Sequence, residues 1–133
     1  MMSVKKTLKK SEILCSHKQI EYLLQHGYGF VEYPFKITWR KVQQSDQPVK
    51  VAFSVPKKKY KKAVHRNLLK RRMREAYRQN KEDLLKHLIS ENQNIHLFFV
   101  YIDKEIRDYH SINTKIIVTL SRLIKEINRE KGS

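Results

Sequence analysis

Residues 95–102, IHLFFVYI, constrain the fold more than any other stretch of this chain. Side chains of a strand alternate between its two faces, and here both faces are apolar, with His96 the one interruption. Such a strand belongs in the middle of a sheet that is covered on both sides. The rest of the chain must therefore supply neighbouring strands and helices to layer over them. His96 in this setting reads as a hydrogen-bonded core or edge histidine rather than a ligand.

Residues 51–78, VAFSVPKKKYKKAVHRNLLKRRMREAYR, supply one neighbour and one layer. Val51, Phe53 and Val55 alternate with Ala52 and Ser54 as a strand. A lysine-crowded turn follows, from Lys57 to Lys62, and the period then becomes helical. Leu69, Met73, Ala76 and Tyr77 fall on one stripe, the core face of a helix. Asn67, Lys70, Arg71, Arg74 and Arg78 fall on the opposite side. Glu75 is the only acid between Lys57 and Arg78. Like charges one turn apart repel, so a face of one sign points to a polyanion that neutralises it, nucleic acid first.

The remaining elements follow from capping and period. Residues 1–10 carry four lysines and little to bury, and are expected to form a mobile basic arm. Ser16 with Gln19 three residues on is a capping-box pattern, and Gly27 is placed to end that helix in a left-handed conformation. Ile20, Leu23 and Leu24 form its apolar stripe, and His17 and His26 sit near its ends. Residues 35–42 alternate, with Phe35, Ile37 and Trp39 on one face and Lys36, Thr38 and Arg40 on the other. Pro34 suits a strand entry. A polar turn, residues 43–48, leads into the strand from Val49, which predicts a hairpin. The hairpin's second face, Lys36, Thr38, Arg40, Ala52 and Ser54, is basic at one end and lined by small side chains at the other. Something can lie flat on such a face. A charged continuation of the basic helix, residues 81–90, carries Leu84, Leu85 and Leu88. After residues 95–102, Ser111 reads as the N-cap of a last helix with Ile112, Ile116, Leu120, Leu123, Ile124 and Ile127 in register, fraying from Glu130.

The elements thus run α-β-β-α-β-α, with room for a short strand near residues 30–32. The fold class expected is α+β: a single domain over residues 1–133, with three helices and a mixed sheet of three to four strands. Lysine and arginine number 29 against 13 acids, a net charge of +16, with a pI near 10.0. No apolar run approaches the roughly 20 residues of a membrane span, and the lysine-rich start has no apolar signal-peptide core. The lone Cys15 has no partner for an internal disulfide and reads as a plain thiol, which fits a cytoplasmic location.

Clustered acids for a divalent metal or a general acid–base pair are absent from the sequence. Asp46, Glu82, Asp83, Asp103 and Glu105 are scattered, and three glycines support no phosphate-cradling loop. Tyr28, Phe30, Tyr33 and Tyr60 are available to stack on bases, without an RNA-recognition consensus around them. The residues support binding rather than protein-borne catalysis.

The central stretch resembles the signature of the bacterial ribonuclease P protein family: a strand ending V-x-K-K, a short basic turn, then A-x-x-R-N-R-x-K-R-x-x-R-E on a helix. Val55, Lys57, Lys58, Ala63, Arg66, Asn67, Lys70, Arg71, Arg74 and Glu75 carry it here without a gap. The resemblance implies a fold like the second domain of ribosomal protein S5, with a left-handed β-α-β crossover around the basic helix. It implies a protein, monomeric before assembly, that serves a ribozyme removing the 5′ leader from precursor tRNA. The RNA subunit would then bind most of the Mg2+ and carry the chemistry, the protein alone being inactive. It implies that Arg66, Asn67, Lys70, Arg71 and Arg74 contact the catalytic RNA. Lys36, Thr38, Arg40, Ala52, Ser54, Lys57 and Lys58 would face the leader, with Ile20 and Leu24 on the opposing helix.

Two positions depart from the pattern. Leu68 stands where the motif has its second arginine, about 100° from Leu69 on the wheel and off the core stripe. Ile20 and Leu24 stand where aromatics are common. A ribosomal or other structural RNA-binding protein would share the charge and element order, but would not need the Arg66-Asn67 helix at this distance from V-x-K-K.

Overall fold

The computed structural model describes residues 6–131. A single 3-10 turn, Lys10–Glu12, precedes α1 (His17–His26). Then come β1 (Tyr28–Glu32), β2 (Phe35–Val42), β3 (Val49–Ser54), α2 (Ala63–Asn80), α3 (Glu82–Ser90), β4 (Asn94–Tyr101) and α4 (Tyr109–Lys131). The four strands form one mixed sheet in the order β1-β2-β4-β3. The α+β class and the crossover of α2 and α3 between parallel, adjacent β3 and β4 are as expected.

The hairpin expected from β2 and β3 is not formed. β4 lies between them, antiparallel to β2 and parallel to β3. A strand apolar on both faces gains most from the central position, and its insertion outweighs the short polar link between β2 and β3. The antiparallel hairpin is instead β1–β2, with Pro34 in its turn after a cis peptide bond. The two faces are nonetheless composed as expected, because alternation survives any change of neighbour.

One face carries Phe35, Ile37, Trp39, Val51, Leu97, Phe99 and Tyr101, all essentially inaccessible. They pack with Leu69, Met73, Ala76 and Tyr77 of α2 and with Ile112, Ile116, Leu123 and Ile127 of α4 as one core. On the other face the cover is smaller: Leu14, Leu23 and Ala52, with Ile20 and Phe98 packed against them. His96, Phe98 and Val100 of β4 are therefore only half-buried, where cover on both sides was expected. α1 is short, and part of the sheet remains open on either side of it.

Three local expectations are corrected. The basic helix does not continue through residue 90; it breaks at Lys81, giving four α-helices among the described residues where three were expected. Lys81 is 2% exposed, and its ammonium lies 2.6 Å from Glu12 and also donates to the Thr7 carbonyl. Arg78 likewise donates to the Lys6 carbonyl. Of the basic arm, residues 1–5 lie outside the described residues, while Lys6 and Thr7 are tied to this junction. Gly27 ends α1 at φ −81°, ψ 166°, extended rather than left-handed. Glycine is needed there for proximity: a Cβ would lie 2.5 Å from the Leu23 carbonyl oxygen and 2.8 Å from Thr38 Cγ2. The cap of α4 is Asp108, whose carboxylate accepts from the Ser111 amide at 2.8 Å; a carboxylate facing a helix N-terminus is favoured by the helix dipole as well. At the start of α1, Ser16 Oγ accepts from the Gln19 amide at 3.3 Å as its spacing implied.

Candidate nucleic-acid interface

Burial of the Leu69–Met73–Ala76–Tyr77 stripe fixes the rotation of α2 and turns its cations outward. Asn67, Arg71 and Arg74 are exposed and Lys70 half-buried. Among the described residues none of these four has a hydrogen-bond or ion-pair partner within the chain, so their donors are available. Arg78 is engaged, with its guanidinium on Glu75 at 2.5 and 3.0 Å. Leu68 is half-buried and outside the hydrophobic core.

Arg66 is placed differently from its four companions. Its guanidinium donates to the carbonyls of Tyr60 and Lys61 at 2.8 and 2.9 Å. Tyr60 itself is buried and donates to the Asp103 carbonyl at 2.8 Å, and burial raises its pKa. Arg66 and Tyr60 thus hold the lysine turn in one shape, leaving Lys57, Lys58, Lys61 and Lys62 exposed at its surface.

The α1-facing side of the sheet is organised in rows by the strand register. Lys36, Val100 and Ser54 form one row, Thr38, Phe98 and Ala52 the next, and Arg40, His96 and Lys50 the third. β4 separates the two groups of residues that sequence reasoning put side by side. The middle row is roofed by α1: Thr38 is only 8% exposed, beneath Gly27.

A groove of about 690 Å³ opens on one flank of α1. Ala52, Ser54 and Phe98 form its floor, Ile20 one side, and Lys70 and Arg74 of α2 the opposite side. Leu8, Lys10, Ile13 and Leu14 close it at the N-terminal segment, where Ile13 bridges Val51 at the sheet edge. Ala52, Ser54 and Ile20 are therefore brought together as expected, and with two of the helix cations. Lys36 is exposed on the same sheet face, and Leu24 points outward, 51% exposed, lining neither this groove nor the next.

A second cleft, of about 770 Å³, opens on the other flank of α1. Arg40, Lys50 and His96 form its floor, with Lys18 and Tyr22 of α1 above. The pKa of His96 is lowered by burial and by the charges of Lys50 and Arg40. Of these residues, sequence reasoning selected only Arg40. Lys50 was legible, since it shares the i, i+2 phase of Ala52 and Ser54; Lys18 and Tyr22 carried no comparable signal. Among the described residues no three His, Cys, Asp or Glu side chains converge as metal ligands, and no helix is long and apolar enough to cross a membrane.

Residues 8–123 match the ribonuclease P family. A ribonuclease P protein component of Porphyromonas gingivalis is 34% identical over 122 residues, spanning 87% of this chain and 85% of that one. Among solved structures, the RNase P protein of Staphylococcus aureus superposes with a TM-score of 0.68 at 16% identity, covering 86% of this chain and 99% of that one. The RNase P protein of Thermotoga maritima gives 0.65 at 22% identity, covering 84% and 96%.

Proposed function

Because the chain belongs to the family of ribonuclease P protein components, we propose a division of labour within that enzyme. The outward face of α2 docks on the catalytic RNA, and the groove beside it takes the single-stranded 5′ leader of precursor tRNA. The observation that carries this reading is the groove itself: Lys70 and Arg74 of the docking helix face Ala52, Ser54 and Ile20 across it. One wall is cationic, so two RNA strands can approach each other there with their repulsion screened. The floor is low because its side chains are small, and Phe98 offers an aromatic surface to a base.

Asn67, Lys70, Arg71 and Arg74 are the contacts to the catalytic RNA, while Arg66 shapes the lysine turn that presents Lys57 and Lys58. Lys36 extends the leader face beyond the groove. We assign Mg2+ and the cleavage chemistry to the RNA subunit, as the family resemblance implies; RNA phosphates and water supply the oxygen ligands that Mg2+ prefers. The protein's residues bind and orient; none of them is given a proton-transfer role.

The test compares precursor and mature tRNA binding to the reconstituted holoenzyme. Ser54→Glu places a negative charge in the groove, and Lys36→Ala removes a cation beside it. Both are expected to weaken precursor binding and leave mature tRNA, which lacks the leader, nearly unchanged. Equal losses for the two tRNAs, or no loss for either, would refute leader binding in the groove. Cleavage of precursor tRNA by RNA-free protein would refute the division of labour.

A further inference from the structure

The second cleft is not used by that reading. α1 separates it from the groove: Ile20 faces the groove, whereas Lys18 and Tyr22 face the cleft. Between them the row beneath the helix is closed by Leu14, Leu23 and Ala52. At about 770 Å³ the cleft lies within the roughly 300–1,000 Å³ common for ligand sites.

Its chemistry is specific. Lys18, Arg40 and Lys50 face it against one acid, Asp46, which lies 3.1 Å from Lys50. Arg40 does not sweep through solvent. Its guanidinium sits 4.5 Å from the centre of the Tyr22 ring, and that ring is 4.3 Å from His26. A planar cation held this way can take a phosphate in its fork or a base against its plane. Beside it, the imidazole of His96 accepts no hydrogen bond from, and donates none to, any described residue. Burial and its two cationic neighbours favour the neutral ring, which offers one donor and one acceptor. A site for a bare phosphate would need no such group, and a site for an apolar ligand would need no cations. Held cation and neutral edge reader together match a nucleotide, with a phosphate, a flat base and a 2′-hydroxyl.

We propose that this cleft is a second RNA subsite, which takes a leader nucleotide that has passed around α1 from the groove. Arg40 and Lys50 hold its phosphate, His96 meets its base edge or 2′-hydroxyl, and Tyr22 positions Arg40. The proposal rests on the leader reading above and adds a consequence of its own: only a leader long enough to round α1 reaches the cleft.

The experiment uses the reconstituted holoenzyme and a series of precursor tRNAs whose leaders are shortened one nucleotide at a time. Lys50→Gln is expected to weaken binding of the long-leader substrates by about tenfold, the scale of a lost hydrogen bond to a charged group, and His96→Ala by about threefold to tenfold, the scale of a lost bond between neutral groups. The loss should vanish abruptly below one leader length. Ser54→Glu should weaken binding at every length that reaches the groove. Unchanged binding at all lengths for His96→Ala and Lys50→Gln, with Ser54→Glu still damaging, would overturn the subsite and leave the groove reading standing. Failure of all three would overturn both. Equal weakening of mature tRNA would overturn the subsite as a leader site. A measurement independent of variant folding is photo-crosslinking of wild-type holoenzyme with a reactive uridine at successive leader positions. Distal positions are expected to label peptides containing Tyr22 or His96, and labelling confined to groove residues would overturn the proposal.

Discussion

Removal of one partner of the Lys81–Glu12 pair should be among the most damaging substitutions this protein can receive. Lys81 is 2% exposed and Glu12 6%, with nitrogen and oxygen 2.6 Å apart. In Lys81→Met the aliphatic stem is retained and the ammonium is lost. Glu12 is then left buried with one donor, the Lys9 amide at 2.8 Å, and the Thr7 carbonyl loses its partner. Leaving one charge of a buried pair uncompensated costs about 3–5 kcal/mol, against a total stability of roughly 5–15 kcal/mol for a domain. Glu12→Leu should cost a similar amount. The double variant Lys81→Met, Glu12→Leu removes both charges and should recover most of the loss, since apolar replacement of a buried pair is often neutral. The assay is urea unfolding of wild type, both single variants and the double variant, with a common slope as the check on two-state behaviour. The pair also holds the segment that closes the groove, so the single variants should bind RNA more weakly than the double. Single losses below about 1 kcal/mol, or a double variant as unstable as the sum of the singles, would refute the reasoning.

Other predictions concern the helix, its odd leucine and the glycine beneath α1. Arg71→Ala should cost about 1.5–3 kcal/mol of affinity for the catalytic RNA, with a shallower salt dependence; Lys125→Ala, exposed on α4, should cost far less, and equal losses would mean diffuse attraction only. Leu68→Arg should leave the melting temperature nearly unchanged and hold or improve RNA affinity, because Leu68 lies outside the core; a large thermal destabilisation would contradict its placement. Gly27→Ala should destabilise by about 1–3 kcal/mol in chemical denaturation, since the new Cβ meets the Leu23 and Trp39 carbonyl oxygens at 2.5 and 2.9 Å; a neutral result would mean that α1 is free to lift.

The sequence by itself determined everything that repeats along one element. The core stripe of α2, the bounds of β2, the two faces of β2 and β3, and the central place of β4 all follow from periods of 3.6 and 2.0 residues. The outward cationic face of α2 and the signature it carries were legible for the same reason, since spacing along a helix is spacing in space. Tertiary structure alone decided who neighbours whom. The polar link of residues 43–48 is compatible with a hairpin, and only the burial gained by seating β4 between β2 and β3 excludes it. Lys81 and Arg66 look like members of a solvated run until the folded chain brings Glu12, Tyr60 and Lys61 to them. Gly27 looks like a left-handed cap until Thr38 is found beneath it. The second cleft belongs to no stretch of sequence, because α1, β2, β3 and β4 each contribute part of it. Local periodicity is set by bond geometry within a few residues, whereas strand order and buried polar partners are set by which distant surfaces exclude water from one another.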